Sequence, residues 1–278
     1  MTVTALRWEA NAFVGFLERQ KNLYKRYWAW EMVWVLYTLV TTLSIGYLAS
    51  GLNSIGMHED PGKLQAVQLY LLIGALLWSY LSMVFVEVAW TISWERWEGT
   101  IEYTMMAPVK RATHLLGVST FSIFYGLARA TLIGAVIVLL FHINLSHANL
   151  LSGGLVLVAA TFPLIGLGIL TCLLPLLSPE KGDQMTVAVQ GTLLLVSGVY
   201  YPVSVLPGPL QALGLVSPLT YTLSGMREAL LQNRGIVETL PTIALLLGMG
   251  AVLIPAGLWI FGLAEQRAKR LGLLKRSG

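Results

Sequence analysis

The residue types that usually carry catalysis are sparse in this chain and form no familiar catalytic pattern. Gly62-Lys63 is followed by Leu64, so it lacks the Ser or Thr that completes a phosphate-binding loop of the G-x-x-x-x-G-K-[ST] kind. Neither H-E-x-x-H nor G-x-S-x-G occurs, and these are the patterns of zinc proteases and serine hydrolases. We therefore expect no ATP hydrolysis, zinc proteolysis or serine hydrolysis by this chain.

His142 and His147 are close enough in the sequence to share a metal ion, but no third ligand accompanies them. We therefore predict no metal site at this pair. The single cysteine, Cys172, cannot form an internal disulfide and lies in an apolar run, which is typical of a buried, unreactive thiol.

Three charged side chains, Glu31, Glu87 and Arg129, lie within otherwise apolar runs. At the middle of a membrane each would cost about 3 kcal/mol or more, so an unpaired position facing lipid is disfavoured. Glu31 lies near the end of its run and can reach lipid headgroups. Glu87 and Arg129 have two interpretations. The first is a structural ion pair, and the second is a polar wall along a translocation path.

The composition explains why these charges matter. Among 278 residues, 56% are hydrophobic and only 12% are charged, which is about half the charged fraction of a soluble domain. The mean hydropathy is +0.70. A water-soluble fold of this length cannot bury so much apolar surface. The composition excludes a cytosolic enzyme, a disordered tail and a nucleic-acid-binding module, and it indicates a polytopic membrane protein.

Six apolar stretches are long enough to cross about 30 Å of hydrocarbon as helices. None has the period-2 alternation of barrel strands, which favours an all-α membrane protein. Gly166-Leu-Gly168 and Gly248-Met-Gly250 allow close helix approach, although small residues are common in such spans. The six predicted transmembrane helices lie near residues 29–50, 67–93, 115–141, 150–177, 184–206 and 240–263, in a single domain over residues 1–278.

Lysine and arginine are distributed unequally between the two sides that these spans define. With both termini inside, 14 of the 18 lie on the cytoplasmic side, Arg129 lies within a span, and three lie outside. The outer three are Lys63, Arg227 and Arg234. This distribution follows the positive-inside rule and predicts that both termini are cytoplasmic.

Residues 3–27 are too polar to span a membrane. Apolar side chains such as Phe13, Phe16 and Tyr24 recur there at helical spacing between basic residues. The pattern favours an amphipathic interfacial helix, with its apolar face at the acyl boundary and its cations near anionic lipid headgroups. A flexible basic tail that only sets topology is the alternative.

The cytoplasmic segment between the second and third predicted spans, residues 94–111, is more patterned than a connector requires. Thr100 is placed to cap a short helix with Glu102 in its first turn. Gly99 provides backbone freedom before that helix, and Pro108 ends it. We predict a short helix at the membrane surface, and an ordinary solvated loop is the alternative. The acidic side chains that it would present to the cytoplasm are Glu95, Glu98 and Glu102.

The outer segment 197–221 is too apolar for a water-exposed loop, but four prolines prevent one continuous helix. Short broken helices that enter the outer leaflet fit both facts, because broken backbone at that depth must be covered by protein or line a cavity. Its defining residues are Tyr200, Tyr201, Pro202, Pro207, Pro209, Pro218 and Tyr221, and Arg227 follows soon after.

Two of these segments resemble type-2 ABC transporter permeases. The pattern E-R-x-E-G-T-I-E-Y-x-M-x-A-P-V-x-R over residues 95–111 is similar to their coupling-helix segment. The stretch from Gly198-Val-Tyr-Tyr-Pro-Val to Met226-Arg-Glu-Ala-Leu is similar to the segment between their fifth and sixth spans. The family often has a leucine pair where this chain has Met105-Met106. The resemblance covers essentially the whole chain.

The resemblance implies the membrane subunit of an ATP-driven exporter of a hydrophobic or amphiphilic compound, in a bacterial cytoplasmic membrane. Two copies of a separate ATP-binding subunit would hold ATP and Mg, and this chain would bind no cofactor. A second permease chain, an identical copy by preference, would complete a dimer. Closure of the ATPases on ATP would push a coupling helix at 95–107 and tilt the spans, so that a cavity opens outward.

Two other classes are considered from the residues. An ion-coupled secondary transporter would place broken helices at the bilayer midplane in both halves, whereas the candidate broken segment lies near the outer surface. A membrane enzyme would need a nucleophile, base or metal set that the chain lacks. The substrate is not identified by the sequence. Aromatic residues that can line a path, but at this spacing more often pack in a core or face lipid, are Trp78, Tyr80, Phe85, Phe121, Phe124 and Tyr125.

Overall fold

The computed structural model describes residues 3–51, 61–144, 146 and 148–274, and the described part of the chain contains helices and no strand. His147, one half of the histidine pair, lies outside the described residues. The helices, in chain order, are α1 (Val3–Arg26), α2 (Trp28–Gly51), α3 (Pro61–Ala89), α4 (Thr91–Glu98), α5 (Ile101–Met106), α6 (Arg111–Leu140), α7 (Leu150–Thr171), α8 (Leu173–Leu177), α9 (Gly182–Val196), α10 (Gly208–Val216), α11 (Pro218–Leu231) and α12 (Ile236–Arg270).

Within the described residues, five helical segments are long and apolar enough to cross a membrane. They agree with the first, second, third, fourth and sixth predicted spans, so the all-helical, multi-pass architecture follows directly from the apolar runs. The third and fourth spans are separate helices, α6 and α7. The five segments are Trp28–Leu48, Leu64–Ala89, Arg111–Leu140, Leu150–Leu177 and Ile236–Arg270.

The fifth predicted span corresponds to α9, which is shorter than predicted. α9 has 15 residues and ends at Val196, ten residues before the predicted boundary at 206. Such a helix is about 22 Å long, less than the hydrocarbon thickness. It ends because Gly198 has a φ of +73° and Pro202 follows soon after. That α9 crosses the membrane as a sixth span therefore stays a prediction.

α7 lies at the centre of the helix bundle and packs most extensively against α12, with α3 and α11 on its other sides. The two helices approach closely where they carry glycine. A Cβ added at Gly166 would lie 2.5 Å from Leu253 Cβ, and one added at Gly250 would lie 2.5 Å from Phe162 Cβ. Two of the small residues in the sequence patterns therefore set a helix contact that larger side chains would obstruct.

α1 packs along α6, and this contact differs from the predicted burial in lipid. The rings of Phe16 and His114 are 4.7 Å apart, and those of Tyr24 and Tyr125 are 4.5 Å apart. The opposite side of α1 is exposed and largely polar. The periodicity correctly indicates an apolar face, but protein rather than acyl chains covers much of it.

The helix contact between α7 and α12 gives a direct test of the packing. Gly166→Ala is expected to destabilise the protein by about 1–3 kcal/mol, because its Cβ would overlap the backbone and Cβ of Leu253. The measurement is thermal unfolding of the detergent-purified protein. Gly248→Ala is the matched control, since an added Cβ there meets nothing within 4 Å. Equal melting temperatures for the two variants would contradict this packing.

Candidate functional site

The cytoplasmic segment folds as two short helices that meet at Gly99. α4 ends at Glu98, and Gly99 takes a left-handed conformation with a φ of +73°, which favours glycine. α5 begins after two intervening residues and ends where Ala107 becomes extended before Pro108. The second helix lies where the sequence predicts it. The expectation of a single helix over 95–107 is wrong, because the turn at Gly99 interrupts it.

Glu95 is buried, contrary to the prediction that it faces the cytoplasm. Its side chain is 1% exposed, and its Oε1 lies 2.9 Å from Arg19 Nη1 and 2.9 Å from His114 Nε2. Burial alone raises the pKa of this carboxyl, but His114 and Arg19 outweigh burial and hold the pKa below its ordinary value. The carboxylate therefore joins α1, α4 and α6 in one ionic cluster, which we call the Glu95 cluster: Arg19, Glu95, Thr100 and His114.

Thr100 occupies the N-cap position of α5 as predicted, but its side chain makes no capping hydrogen bond. Its hydroxyl accepts a hydrogen bond from Arg19 Nη2 at 2.9 Å instead. In a second contact, the Tyr27 hydroxyl donates a hydrogen bond of 2.8 Å to the carboxylate of Glu98, which is half-buried. α1 and the residue that follows it therefore hold the turn between α4 and α5 through two separate contacts.

The outward side of α5 is exposed and partly apolar. Ile101 and Met105 are buried, whereas Glu102 is exposed and Tyr103 and Met106 are 80% and 84% exposed. Large apolar side chains with this exposure on an anchored helix are typical of a contact surface for another protein. We call Glu102, Tyr103 and Met106 the α5 surface.

Arg111 holds the other end of α5. Its Nη1 and Nη2 donate to the carbonyl oxygens of Thr104 and Met105 at 2.8 and 2.7 Å, which satisfies the end of the helix. Its Nε donates to Glu265 of α12 at 2.8 Å, and Glu265 also pairs with Lys269 at 2.7 Å. α5 is thereby connected to α6 and to the C-terminal end of α12.

The outer segment consists of short broken elements, as the prolines predict. Pro202 precedes a 3-10 turn at Val203–Val205, Pro207 precedes α10, and Pro218 begins α11. The hydroxyls of Tyr201 and Tyr221 donate to the carbonyl oxygens of Leu195 and Leu215, each at 2.7 Å.

Arg227 of α11 connects this segment to the bundle. It donates to the carbonyl oxygens of Gly198 at 3.0 Å and Val199 at 2.7 Å. The guanidinium carbon also lies 3.5 Å from the centre of the Tyr70 ring on α3, close enough for a cation–π contact. Burial lowers the pKa of Arg227 from its ordinary value. This arginine positions the outer segment against α3 by binding backbone oxygens that the broken helices leave without partners.

The predicted ion pair between Glu87 and Arg129 is not formed. Arg129 Nη2 donates to the carbonyl oxygen of Trp34 at 2.7 Å and to the hydroxyl of Thr38, both on α2. Glu87 instead accepts a long hydrogen bond of 3.4 Å from Gln20. A backbone oxygen and a hydroxyl oxygen of α2 therefore take the place of the carboxylate predicted to pair with Arg129.

Both side chains line an open groove of about 880 Å³ between α2, α3 and α9. Trp78 and Tyr200 also line it. The other aromatic candidates lie elsewhere in the described structure: Tyr80 and Phe85 are buried in the core, Phe124 is 68% exposed, and Phe121 and Tyr125 pack on Tyr24 of α1. Glu87 and Arg129 therefore line one groove, and their interpretation as the polar wall of a translocation path stays a prediction.

Sequence reasoning missed the residues that anchor the cytoplasmic helices, namely Arg19, His114, Arg111 and Glu265. Arg19 is 76 residues from Glu95, and Arg111 is 154 residues from Glu265. Of these contacts, only the pair of Glu265 and Lys269 could be predicted from the sequence, because the two residues are four positions apart on one helix.

The Glu95 cluster generates a stability prediction. Glu95→Gln is expected to cost about 3 kcal/mol at neutral pH, because it removes the charge between Arg19 and His114 in a buried position. Since the folded pKa of Glu95 is lowered, the carboxylate stabilises the fold above about pH 4, and the difference from wild type is lost as the pH falls through that folded pKa.

The measurement is thermal unfolding at several pH values. Glu98→Gln is the control, since its partner is the neutral Tyr27 hydroxyl and a smaller loss is expected. A Glu95→Gln variant as stable as Glu98→Gln would contradict the assigned role of the cluster.

The comparison with known families identifies the family of this helical bundle. The sequence model of the family described as ABC-2 type transporter matches residues 12–231. No curated protein matches the chain significantly. The family match covers most of the chain, from α1 through α11, and includes both the cytoplasmic and the outer segments. The protein therefore belongs to the ABC-2 type transporter family and is a multi-pass membrane permease subunit of an ABC transporter.

Proposed function

We propose that this permease is the membrane subunit of an ATP-driven exporter that moves a hydrophobic or amphiphilic compound outward across a bacterial cytoplasmic membrane. Family membership implies association with an ABC ATP-binding subunit. In the proposed complex two such subunits serve two permease chains, which are identical copies, and ATP and Mg are held by the ATP-binding subunits. Residues 1–278 form one permease domain in this proposal.

The observation that carries the proposal is the anchored α5 surface. Glu102, Tyr103 and Met106 are exposed, while the same helix is held at its start by the Glu95 cluster and at its end by Arg111. A partner that docks on this surface would move a helix whose anchors lie on α1, α6 and α12. The α5 surface is therefore the proposed docking site for the ATP-binding subunit, and closure of that subunit on ATP supplies the push.

The groove between α2, α3 and α9 is the proposed path for the exported compound. Its volume of about 880 Å³ is suited to a drug-sized or lipid-like molecule. The residues that line it extend from Trp94 of α4 to Tyr200 of the outer segment. In alternating access, tilting of the spans would close this groove at its cytoplasmic end and open it near the outer segment.

Topology is the first test of the proposal. With cytoplasmic termini, Gln232 lies outside the cell and Glu180 inside, and both side chains are exposed. A cysteine at Gln232 is expected to react with a membrane-impermeant maleimide in intact cells, whereas one at Glu180 reacts only after permeabilisation. The native Cys172 is fully buried, so background labelling is low. Labelling in the reversed order would overturn the orientation and the assignment of α5 to the ATPase side.

The second test is the partner. Mild detergent extraction is expected to copurify a small ABC ATP-binding protein, which an ion-coupled secondary transporter would not require. Glu102→Lys is expected to weaken this association at least about fivefold, or about 1 kcal/mol, because it reverses a charge in a partly desolvated contact. Folding should be unaffected, since the Glu102 side chain is exposed.

Glu180→Lys is the matched control, because it makes the same charge change on another exposed cytoplasmic position. Full ATPase association by the Glu102→Lys variant would show that the α5 surface is not the docking site. Absence of any ATPase from the wild-type preparation would favour the secondary transporter instead.

A further inference from the structure

Two carboxylates, Glu31 and Glu87, lie where the groove meets a smaller cavity beneath α1. Trp30 and Trp94 line the same junction, because these four residues border both spaces. Among the described residues, neither carboxylate has a lysine, arginine or histidine nitrogen within 4.0 Å. The junction therefore combines an open space with two acidic groups that form no ion pair within the part of the chain that the structure describes.

The groups that do contact these carboxylates are neutral. The Tyr125 hydroxyl donates to Glu31 at 3.0 Å, and the Gln20 amide donates to Glu87 at 3.4 Å. Arg129, which borders the same groove, is occupied by oxygen atoms of α2. The groove is thus lined by two carboxyl groups and by one arginine that is already engaged.

Aromatic residues line the same groove as the acidic groups. Trp30, Trp34, Trp90 and Trp94 border it together with Glu31 and Glu87. The faces of indole rings attract cations, most strongly where water is excluded. Carboxylates among tryptophan rings are a combination that favours an organic cation over a neutral or anionic molecule.

One buried polar group at this place lacks a hydrogen-bond partner. Trp90 lines the groove, and its indole nitrogen Nε1 is buried without a partner. The Tyr24 hydroxyl is buried beside Glu87 and adds another neutral polar group to the smaller cavity. Buried polar groups are normally paired, so the Trp90 nitrogen is available to a ligand or water that enters the groove.

We infer that the junction of Glu31, Glu87, Trp30 and Trp94 binds the charged end of a hydrophobic monovalent organic cation, whose apolar body lies in the groove. The inference rests on the proposed function, because it names the substrate class of the proposed path. A metal ion is disfavoured, since the described residues contain no group of three or more His, Cys, Asp or Glu side chains that can hold one. Both carboxylates lie on the cytoplasmic side of their spans in the predicted orientation, which suits capture of a cation from the inner leaflet or cytoplasm.

The test compares two ions of nearly equal shape and opposite charge, tetraphenylphosphonium and tetraphenylborate. Binding is measured by equilibrium dialysis against the purified permease in phosphatidylcholine nanodiscs, with empty nanodiscs subtracted because both ions enter lipid. The phosphonium is expected to bind the protein with a Kd at least about tenfold lower than that of the borate. Equal protein-specific binding of the two ions would overturn the inference.

Variants then locate the site. Glu87→Gln and Glu31→Gln are each expected to weaken phosphonium binding about tenfold and to leave borate binding unchanged or stronger. Glu180→Gln is the control, since that carboxylate is exposed and lies outside both cavities. Wild-type phosphonium binding by both monodisperse groove variants would overturn the inference. If one variant does not fold, the other variant and the comparison of the two ions decide.

This measurement uses the permease without ATPase, so its outcome is separate from the partner test. Phosphonium binding without a copurifying ATPase would leave the cation site in place and contradict the ATP-driven exporter. A copurifying ATPase with no preference for the phosphonium would contradict the cation site alone.

Discussion

The arrangement of this permease depends on the cost of leaving a charge uncompensated in apolar surroundings. Several buried charges are met by groups from other helices, and each such contact fixes one helix against another. Glu95 is compensated by Arg19 and His114, which joins α4 to α1 and α6. Arg227 is compensated by backbone oxygens of the outer segment. The same contacts that make these charges tolerable therefore determine where the cytoplasmic and outer segments lie.

This constraint connects a six-residue helix to a much larger bundle. α5 is too short to be stable by itself, but Arg19 binds the Thr100 hydroxyl at its start and Arg111 binds two carbonyl oxygens at its end. Arg111 continues to Glu265 on α12, and α4 follows α3 with only Trp90 between them. Displacement of α5 must break these directional contacts or carry α1, α3, α6 and α12 with it. The proposed coupling of this permease to an ATPase requires the second outcome.

The features that the sequence predicts well are those encoded by neighbouring residues. Apolar runs predict five of the spans, Gly99 and Pro108 bracket the second cytoplasmic helix, and prolines predict the broken outer segment. The burial of Glu95 was not predictable, because its partners come from two helices distant in sequence. Periodicity likewise indicates that α1 has an apolar face without indicating whether lipid or α6 covers it. For Arg129 the expected acidic partner is replaced by backbone and hydroxyl oxygens of α2, which no residue pattern specifies.

The distribution of compensated and uncompensated charges separates structure from function in this molecule. Glu95, Arg111, Arg227 and Glu265 are engaged by charged groups or by several backbone oxygens, and all lie at contacts that hold helices together. Among the described residues, Glu31 and Glu87 have only neutral hydrogen-bond donors, and both lie on the wall of an open groove. A structural carboxylate would gain stability from a cationic partner, so the absence of such a partner does not stabilise the fold. It would favour the proposed binding, because a pre-formed ion pair would compete with a cationic ligand for the same carboxylate.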